Sequence, residues 1–176
     1  LATVTAIGAR TSLGYDATGR QVRSADPLNR ITTTVYDAAG RTVSRITPDT
    51  RRNTTVYDAA GRSVAAVNPL NQRSTTVYDA AGRATAKINP LGFRTTSVYD
   101  HAGRSIATVD PLVRRTTTVY DAASQAIRTV NPLNLATTKI YDGAGRMIAS
   151  IDPLLQRQTT VFDAAGQTVA TVDGLA

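Results

Sequence analysis

The chain consists of short stretches in which β-branched and aromatic residues alternate with polar ones, separated by residues typical of turns. One such stretch covers residues 32–37 and is followed by Ala38, Ala39 and Gly40. Asp37 at the first position and a left-handed Gly40 at the last are typical of a type I turn that closes a hairpin. The pattern therefore predicts two antiparallel strands joined by a three-residue loop with a glycine bulge.

This loop geometry fixes an expected register for the two strands. Asp37 should face Arg41, and their opposite charges should attract each other across the loop. Alternation beyond the loop would place Tyr36 on one face with Ser44 and Ile46. The remaining cross-strand neighbours predicted by unbroken alternation are Tyr36 with Thr42, Val35 with Val43, and Thr34 with Ser44.

The same pattern recurs every 21 residues in eight copies without an insertion. Repetition at a fixed period indicates a repeat architecture. An aromatic residue followed by Asp marks each copy: Tyr15, Tyr36, Tyr57, Tyr78, Tyr99, Tyr120, Tyr141 and Phe162. A Gly and an Arg follow in most copies, as at Gly40 and Arg41, and a Pro stands in seven of the return stretches, as at Pro27 in the Asp-Pro-Leu-Asn sequence of 26–29. The Pro position favours a second turn that leads the chain to the next hairpin.

A single hairpin is marginal in water, so neighbouring repeats must pair with one another. The sequence thus predicts an all-β fold of tandem 21-residue β-hairpin repeats, forming a continuous spiralling sheet of the solenoid or tube-like superhelix kind. Residues 1–176 form one array, which we expect to begin and end within repeats. Leu1 falls at the position of Val22, in the middle of a strand, and Ala176 follows a variant of the Asp-Pro-Leu loop.

Composition narrows the possibilities further. The chain has seven Tyr, two Phe and no Trp, so buried layers should be thin and lined by small or β-branched residues. The absence of Cys excludes disulfides and thiolate metal sites. No apolar run has the length of about 18 residues that a membrane span needs, and no signal peptide opens the sequence. The net charge of +7 predicts a basic surface.

The recurring Tyr-Asp-Ala-Ala-Gly-Arg, followed by a Val-rich strand and Asp-Pro-Leu, resembles the YD or Rhs repeat over essentially the whole chain. The resemblance implies a spiralling sheet of β-hairpins, as in the shells of Rhs and Tc toxins and in teneurins. It also implies a secreted or cell-surface location and a link to carbohydrate binding. The segment that closes an Rhs toxin shell, with its self-cleavage site and toxic tail, has no counterpart between Leu1 and Ala176.

Some copies depart from the pattern. Copy six has Ser124 and Gln125 in place of Gly and Arg, and copy eight has Phe162 and Gln167. A serine in the left-handed conformation costs about 1 kcal/mol, and Phe162 lacks only a hydroxyl, so we expect the array to tolerate both.

Nearly every polar residue belongs to a column present in most copies, which favours a structural role over catalysis. His101 is the one histidine, and we interpret it as a solvated turn residue rather than a general base. The Asp column is interpreted as turn-capping carboxylates rather than metal ligands. We therefore expect no enzymatic activity, no metal and no cofactor.

Two columns are candidates for binding. An Arg column before the Thr-rich strand could form a basic stripe for acidic polysaccharide, with nucleic acid less favoured; its members are Arg10, Arg52, Arg73, Arg94, Arg115 and Arg157. The alternative is that these arginines provide solubility and pair with Asp, and the lack of interleaved aromatic rings favours it. The Tyr column could stack sugars if exposed, but packing between layers is the favoured interpretation.

Three functions are consistent with these features. A constant step favours an open superhelix, and so an extracellular or cell-surface tube or filament built from copies or further repeats of the same protein. The alternatives are the wall of a toxin-enclosing shell and an adhesive module that binds glycans.

Overall fold

The computed structural model describes residues 2–4 and 10–174, and every regular element in these ranges is a β-strand. A short strand, β1, covers Ala2–Val4. No helix in the described part of the chain is long and apolar enough to cross a membrane. The all-β prediction is confirmed, and each copy of the repeat contributes two strands.

The outgoing strand of each copy has six residues and ends on the aromatic residue. These strands are β2 (Arg10–Tyr15), β4 (Ile31–Tyr36), β6 (Arg52–Tyr57), β8 (Arg73–Tyr78), β10 (Arg94–Tyr99), β12 (Arg115–Tyr120), β14 (Ala136–Tyr141) and β16 (Arg157–Phe162). The return strands are β3 (Gln21–Ala25), β5 (Thr42–Ile46), β7 (Ser63–Val67), β9 (Ala84–Ile88), β11 (Ser105–Val109), β13 (Ala126–Val130), β15 (Met147–Ile151) and β17 (Thr168–Asp173).

The chain divides into two compact units, one of residues 1–78 and 87–93 and the other of residues 79–86 and 94–176. In the first unit, consecutive strands from β1 to β8 pair antiparallel. In the second unit, β10 to β17 do the same. Each unit therefore contains an antiparallel sheet with the Tyr-Asp loops along one edge and the Pro-containing loops along the other.

The predicted register is correct next to the loop and wrong beyond it. Tyr36 pairs with Thr42 as predicted, but Val35 pairs with Ser44 rather than with Val43. The pairing shifts by one residue between Val35 and Tyr36, so the return strand holds one extra residue there. Thr34 accordingly pairs with Arg45 rather than with Ser44.

This bulge also changes which residues share a face. Ser44 lies opposite Val35, so it is on the face away from Tyr36, and the prediction that Ser44 and Tyr36 share a face is wrong. The same shift occurs in the other described hairpins. Unbroken alternation misses the bulge because the extra residue changes the phase of every position after it.

The buried side chains are all small. Among the described residues they are Ala25, Ser44, Ala65, Ala86, Ala107 and Ala149, each at most 4% exposed. Ala65 lies between Val56 and Thr75 of the adjacent strands, so β-branched neighbours cover it. A core this thin confirms the expected narrow layers, and much of the stability must come from the strand ladders and from contacts between repeats.

The Pro-containing loops have the same hydrogen-bond pattern as the Tyr-Asp loops. The N–H of Asp26 donates to the Arg30 carbonyl at 3.1 Å, and the N–H of Asn29 donates to the Asp26 carbonyl at 2.8 Å. Asn29 is left-handed, at φ 57°, in the position that Gly40 has in the other loop. Each repeat is therefore two similar hairpin turns, one closed by Gly and one by a residue that varies.

Val113 is a poor residue for this position. It is left-handed at φ 62°, where a β-branched side chain is strained, while Asn71 and Gly92 stand there in other copies. We expect Val113→Asn to raise the free energy of unfolding by about 1 kcal/mol, measured by urea denaturation. Val113→Ala should change it less, because alanine lacks the short polar side chain with which asparagine hydrogen-bonds the local backbone in the left-handed conformation. Equal stabilisation by both variants would contradict this explanation.

Candidate functional site

The first contact that recurs along the array lies within the Tyr-Asp loop. In copy two, Asp37 accepts the backbone N–H of Ala39 at 3.0 Å and that of Arg41 at 2.9 Å through Oδ1. Its Oδ2 accepts Nε of Arg41 at 2.7 Å. These donors, led by the Arg41 backbone N–H, hold the pKa of Asp37 below its ordinary value of 3.8. One carboxylate thus caps the turn and orients the arginine.

The oriented arginine then reaches the next repeat. Arg41 places its guanidinium carbon 4.7 Å from the centroid of the Tyr57 ring and donates from Nη1 to the Asp58 carbonyl at 3.4 Å. The Tyr57 hydroxyl donates in return to the Thr42 carbonyl at 3.2 Å. We call this set the clasp: the Asp and Arg of one copy together with the aromatic residue and the Asp carbonyl of the next.

The clasp recurs within both units. Guanidinium carbons lie 4.7 to 5.0 Å from ring centroids in six pairs: Arg20 with Tyr36, Arg41 with Tyr57, Arg62 with Tyr78, Arg83 with Tyr99, Arg104 with Tyr120, and Arg146 with Phe162. Each contact combines a charge over a ring with an ion pair in a partly buried setting. Sequence analysis found all three residues but not that the arginine joins one repeat to the next.

Copy six interrupts this series. Gln125 takes the position of the arginine, and no ion pair to Asp121 and no cation over Tyr141 is present in the described structure. Asp121 keeps its turn, because Oδ1 accepts the Gln125 N–H at 2.9 Å. Ser124 adopts φ 65°, so it takes the left-handed conformation of the glycine it replaces. The turn survives while the contact to the next repeat is lost.

The candidate polyanion stripe lies on the face opposite the tyrosines. Arg52 pairs across the strands with Ile46, and Arg73 with Val67, which places both on the face of the buried Ser44 and Ala65. The other predicted members, Arg10, Arg94, Arg115 and Arg157, are exposed and occupy the same position in their strands.

Two further arginines that sequence analysis missed share this face. Arg23 pairs with Gly14, and Arg128 pairs with Val119, at positions where copies two to five and copy seven have a buried Ala or Ser. Gly14 makes room for Arg23, since a Cβ on Gly14 would lie 3.2 Å from the Arg23 Cβ. Their position in the repeat could have identified them, had the bulge been known.

Each unit therefore has four arginines on this face, which we call the basic face: Arg10, Arg23, Arg52 and Arg73 in the first, and Arg94, Arg115, Arg128 and Arg157 in the second. The ion pairs of the described structure use other arginines, all in the loops. The arginines of the predicted stripe make no ion pair with Asp among the described residues. Loop arginines thus pair with nine of the aspartates, and the strand arginines have no carboxylate partner among the described residues.

The remaining candidates lie apart from one another. His101 is exposed in its turn, and no group of three or more His, Asp or Glu side chains in the described residues could hold a metal ion. Most Tyr rings are half-buried beneath an arginine, whereas Tyr15 in the first copy is 43% exposed. Among the described residues, the most exposed large apolar side chains lie in the Pro-containing loops, such as Leu70 at 77%.

This geometry defines a class of protein, an array of β-hairpins in which the same side-chain contact is repeated from one copy to the next. In a comparison with family models, the RHS Repeat model matches residues 15–52 and 78–112. Residues 15–52 and 78–112 thus match RHS repeats, and the resemblance drawn from the Tyr-Asp motif is confirmed. A comparison with curated proteins finds no match.

Solved structures with a similar fold come from Tc toxins. A crystal structure of TcdB2-TccC3 aligns with a TM-score of 0.53 at 16% identity. A Photorhabdus luminescens Tc holotoxin pore aligns with a TM-score of 0.49 at 16% identity, and the complex TcdB2-TccC3-Cdc42 aligns at 0.49 and 15%. In each case the alignment covers 98% of this chain and 12% of the other, so this chain spans about an eighth of those proteins. The likeness is one of fold.

Proposed function

We propose that this chain is a non-enzymatic structural segment of an extracellular shell wall of the Rhs and Tc type. The observation that carries the proposal is the clasp, which recurs in both units and joins one repeat to the next. A side-chain network that joins consecutive repeats suits a wall that must keep its shape. The fold shared with the TcdB2-TccC3 structure supports a shell over the tube or filament expected from the regular period.

Contacts with further repeats of the same protein also suit this role. The Pro-containing loops expose an apolar residue along one edge of each unit: Leu28 and Leu70 in the first, and Leu112, Leu133 and Leu154 in the second, each at least 69% exposed. Exposed apolar rows of this kind suit an edge that another part of a wall covers. Glycan binding has less support, because arginines cover the rings that would stack on sugars.

Electron cryomicroscopy of the full-length native protein tests the shell proposal. We expect closed particles whose wall shows β-hairpins that advance by about 10 Å per repeat, which is two strand spacings. Continuous filaments with one rise and twist would overturn the shell and support the tube instead. Isolated monomers with an exposed leucine edge would overturn both.

The basic face supports a second candidate function, the retention of a polyanion such as an acidic polysaccharide. Each unit has four arginines without an ion pair, and the described strands carry no acidic residue on that face, so it creates a field that attracts anions and weakens with salt. We expect retention on a heparin column, with elution shifted to lower salt when Arg52 and Arg73 are both changed to Gln. The matched control changes Arg20 and Arg41, which are paired in the clasp. Equal shifts for both pairs would contradict a role for the basic face.

A further inference from the structure

We infer that copy six carries a binding site for an arginine side chain supplied by another polypeptide segment. This site goes beyond the proposed wall function, since it concerns a position where the wall's own contact is missing. The gap between copies six and seven opens as a cleft of about 610 Å³, lined by Asp121, Gln125, Tyr141, Asp142 and Gly145 among others.

The other copies show what these surfaces bind. In copy five, Arg104 pairs with Asp100 at 2.7 Å, donates to the carbonyl of the next Asp at 2.9 Å and lies 4.9 Å from the centroid of the next ring. An aspartate, a carbonyl and an aromatic face thus converge on one guanidinium. The ion pair and the contact with the next ring recur in copies one to four and in copy seven, where the ring is that of Phe162.

The gap retains all three of these surfaces without a cation. The Asp121 carboxylate holds its turn through Oδ1, and no ion pair to it is present among the described residues. The Asp142 carbonyl accepts the Gly145 N–H at 2.9 Å and has a second lone pair for another donor. The Tyr141 hydroxyl still reaches the Ala126 carbonyl, at 3.4 Å, so the ring keeps the orientation of the other copies.

Gln125 lines the gap but does not replace the arginine. Its Nε2 reaches Gly145, where an added Cβ would be 3.0 Å away, much as Nη1 of Arg41 in copy two reaches Gly61. The amide thus takes the place of one arginine nitrogen but brings no charge. A neutral amide cannot neutralise Asp121, and it lacks the planar fork that serves a carboxylate and a carbonyl together. Gly143, which also lines the cleft, has no atom within 4 Å of the Cβ it lacks, so the entrance is open.

The chemistry favours arginine over lysine as the occupant. A guanidinium donates to two acceptors in one plane while it stacks on a ring, whereas an ammonium is a compact and strongly hydrated charge. A segment that presents one exposed arginine could therefore occupy the gap in the way that the array's own arginines occupy the other copies.

Nuclear magnetic resonance of the full chain tests the site. The labelled protein is titrated with acetyl-Gly-Arg-Gly-amide, with the citrulline peptide as the uncharged isostere and the lysine peptide as the charged control. We expect saturable shifts at the backbone amides of Asp121, Asp142 and Gly145 with the arginine peptide, about tenfold weaker binding of the lysine peptide, and no saturable shift with the citrulline peptide.

Two variants separate this site from general attraction to acidic turns. Gln125→Arg should fold, because six other copies carry that arginine, and it should abolish the titration by filling the gap. Asp121→Asn should weaken binding while it keeps the turn, since Asn68 caps the equivalent return loop at 3.0 Å. Unchanged binding in Gln125→Arg, or equal shifts at every Asp turn, would overturn the inference.

Discussion

Replacing Tyr99 with alanine should lower the free energy of unfolding by about 3 kcal/mol, which makes it the most damaging single change we expect in the array. The Tyr99 ring is half-buried, its hydroxyl donates to the Ala84 carbonyl at 3.0 Å, and the Arg83 guanidinium carbon lies 5.0 Å from its centroid. Alanine removes all three contacts at once. Chemical denaturation followed by circular dichroism measures the loss.

The conservative variant Tyr99→Phe separates these contributions. It retains the ring and the cation over it, and copy eight already has Phe162 under Arg146. We expect it to cost about 1 kcal/mol, the usual contribution of one hydrogen bond. If Tyr99→Ala cost no more than Tyr99→Phe, the ring would contribute nothing and the clasp would be wrong as an account of stability.

Acidification should unfold the array cooperatively. The carboxylates of nine aspartates accept turn N–H groups or pair with arginine, and the pKa of each lies below its ordinary value of 3.8: Asp16, Asp26, Asp37, Asp49, Asp58, Asp79, Asp100, Asp110 and Asp142. A depressed pKa in the folded state stabilises the fold above the unfolded value and is lost as the pH falls through the folded one. The Tm should therefore be nearly constant from about pH 7 to 5 and fall steeply below about pH 4.

Protonation of the aspartates also leaves the repulsion among the arginines uncompensated. Salt distinguishes this repulsion from the loss of the carboxylate hydrogen bonds. High salt screens repulsion between exposed charges more strongly than it weakens short hydrogen bonds within one turn. We therefore expect the fall in Tm to persist at high salt, and Asp37→Asn to reduce its size. A Tm that stays constant down to about pH 2.5 would contradict the role assigned to the carboxylates.

Local chemistry explains how far the fold could be predicted from sequence. Asp37 and Gly40 define the turn by themselves, because few residues cap a type I turn or accept a positive φ, and the 21-residue step copies that turn along the chain. The bulge at Val43 was missed because a β-branched residue suits either face of a strand. The left-handed Val113 was also missed, since its residue type argues against the conformation that its neighbours require.

The candidate sites were less accessible from the sequence. Asp37 and Arg41 are four residues apart and could be paired by register, but Arg41 and Tyr57 meet only because one hairpin pairs with the next. The basic face depends on which side of the sheet each strand residue occupies, so the missed bulge concealed Arg23 and Arg128. Gln125 was recognised as a departure, while the gap it leaves is a property of the packed repeats.

A double-mutant cycle between Arg83 and Tyr99 is the most direct test of the claim that the clasp joins consecutive repeats. The variants are Arg83→Met, Tyr99→Leu and the two combined, each measured by chemical denaturation of the full chain. If the clasp stabilises the array, the two changes will be non-additive, with a coupling energy of about 1 kcal/mol. Additivity to within about 0.3 kcal/mol would mean that the arginine and the ring lie together without stabilising each other, and would contradict the account.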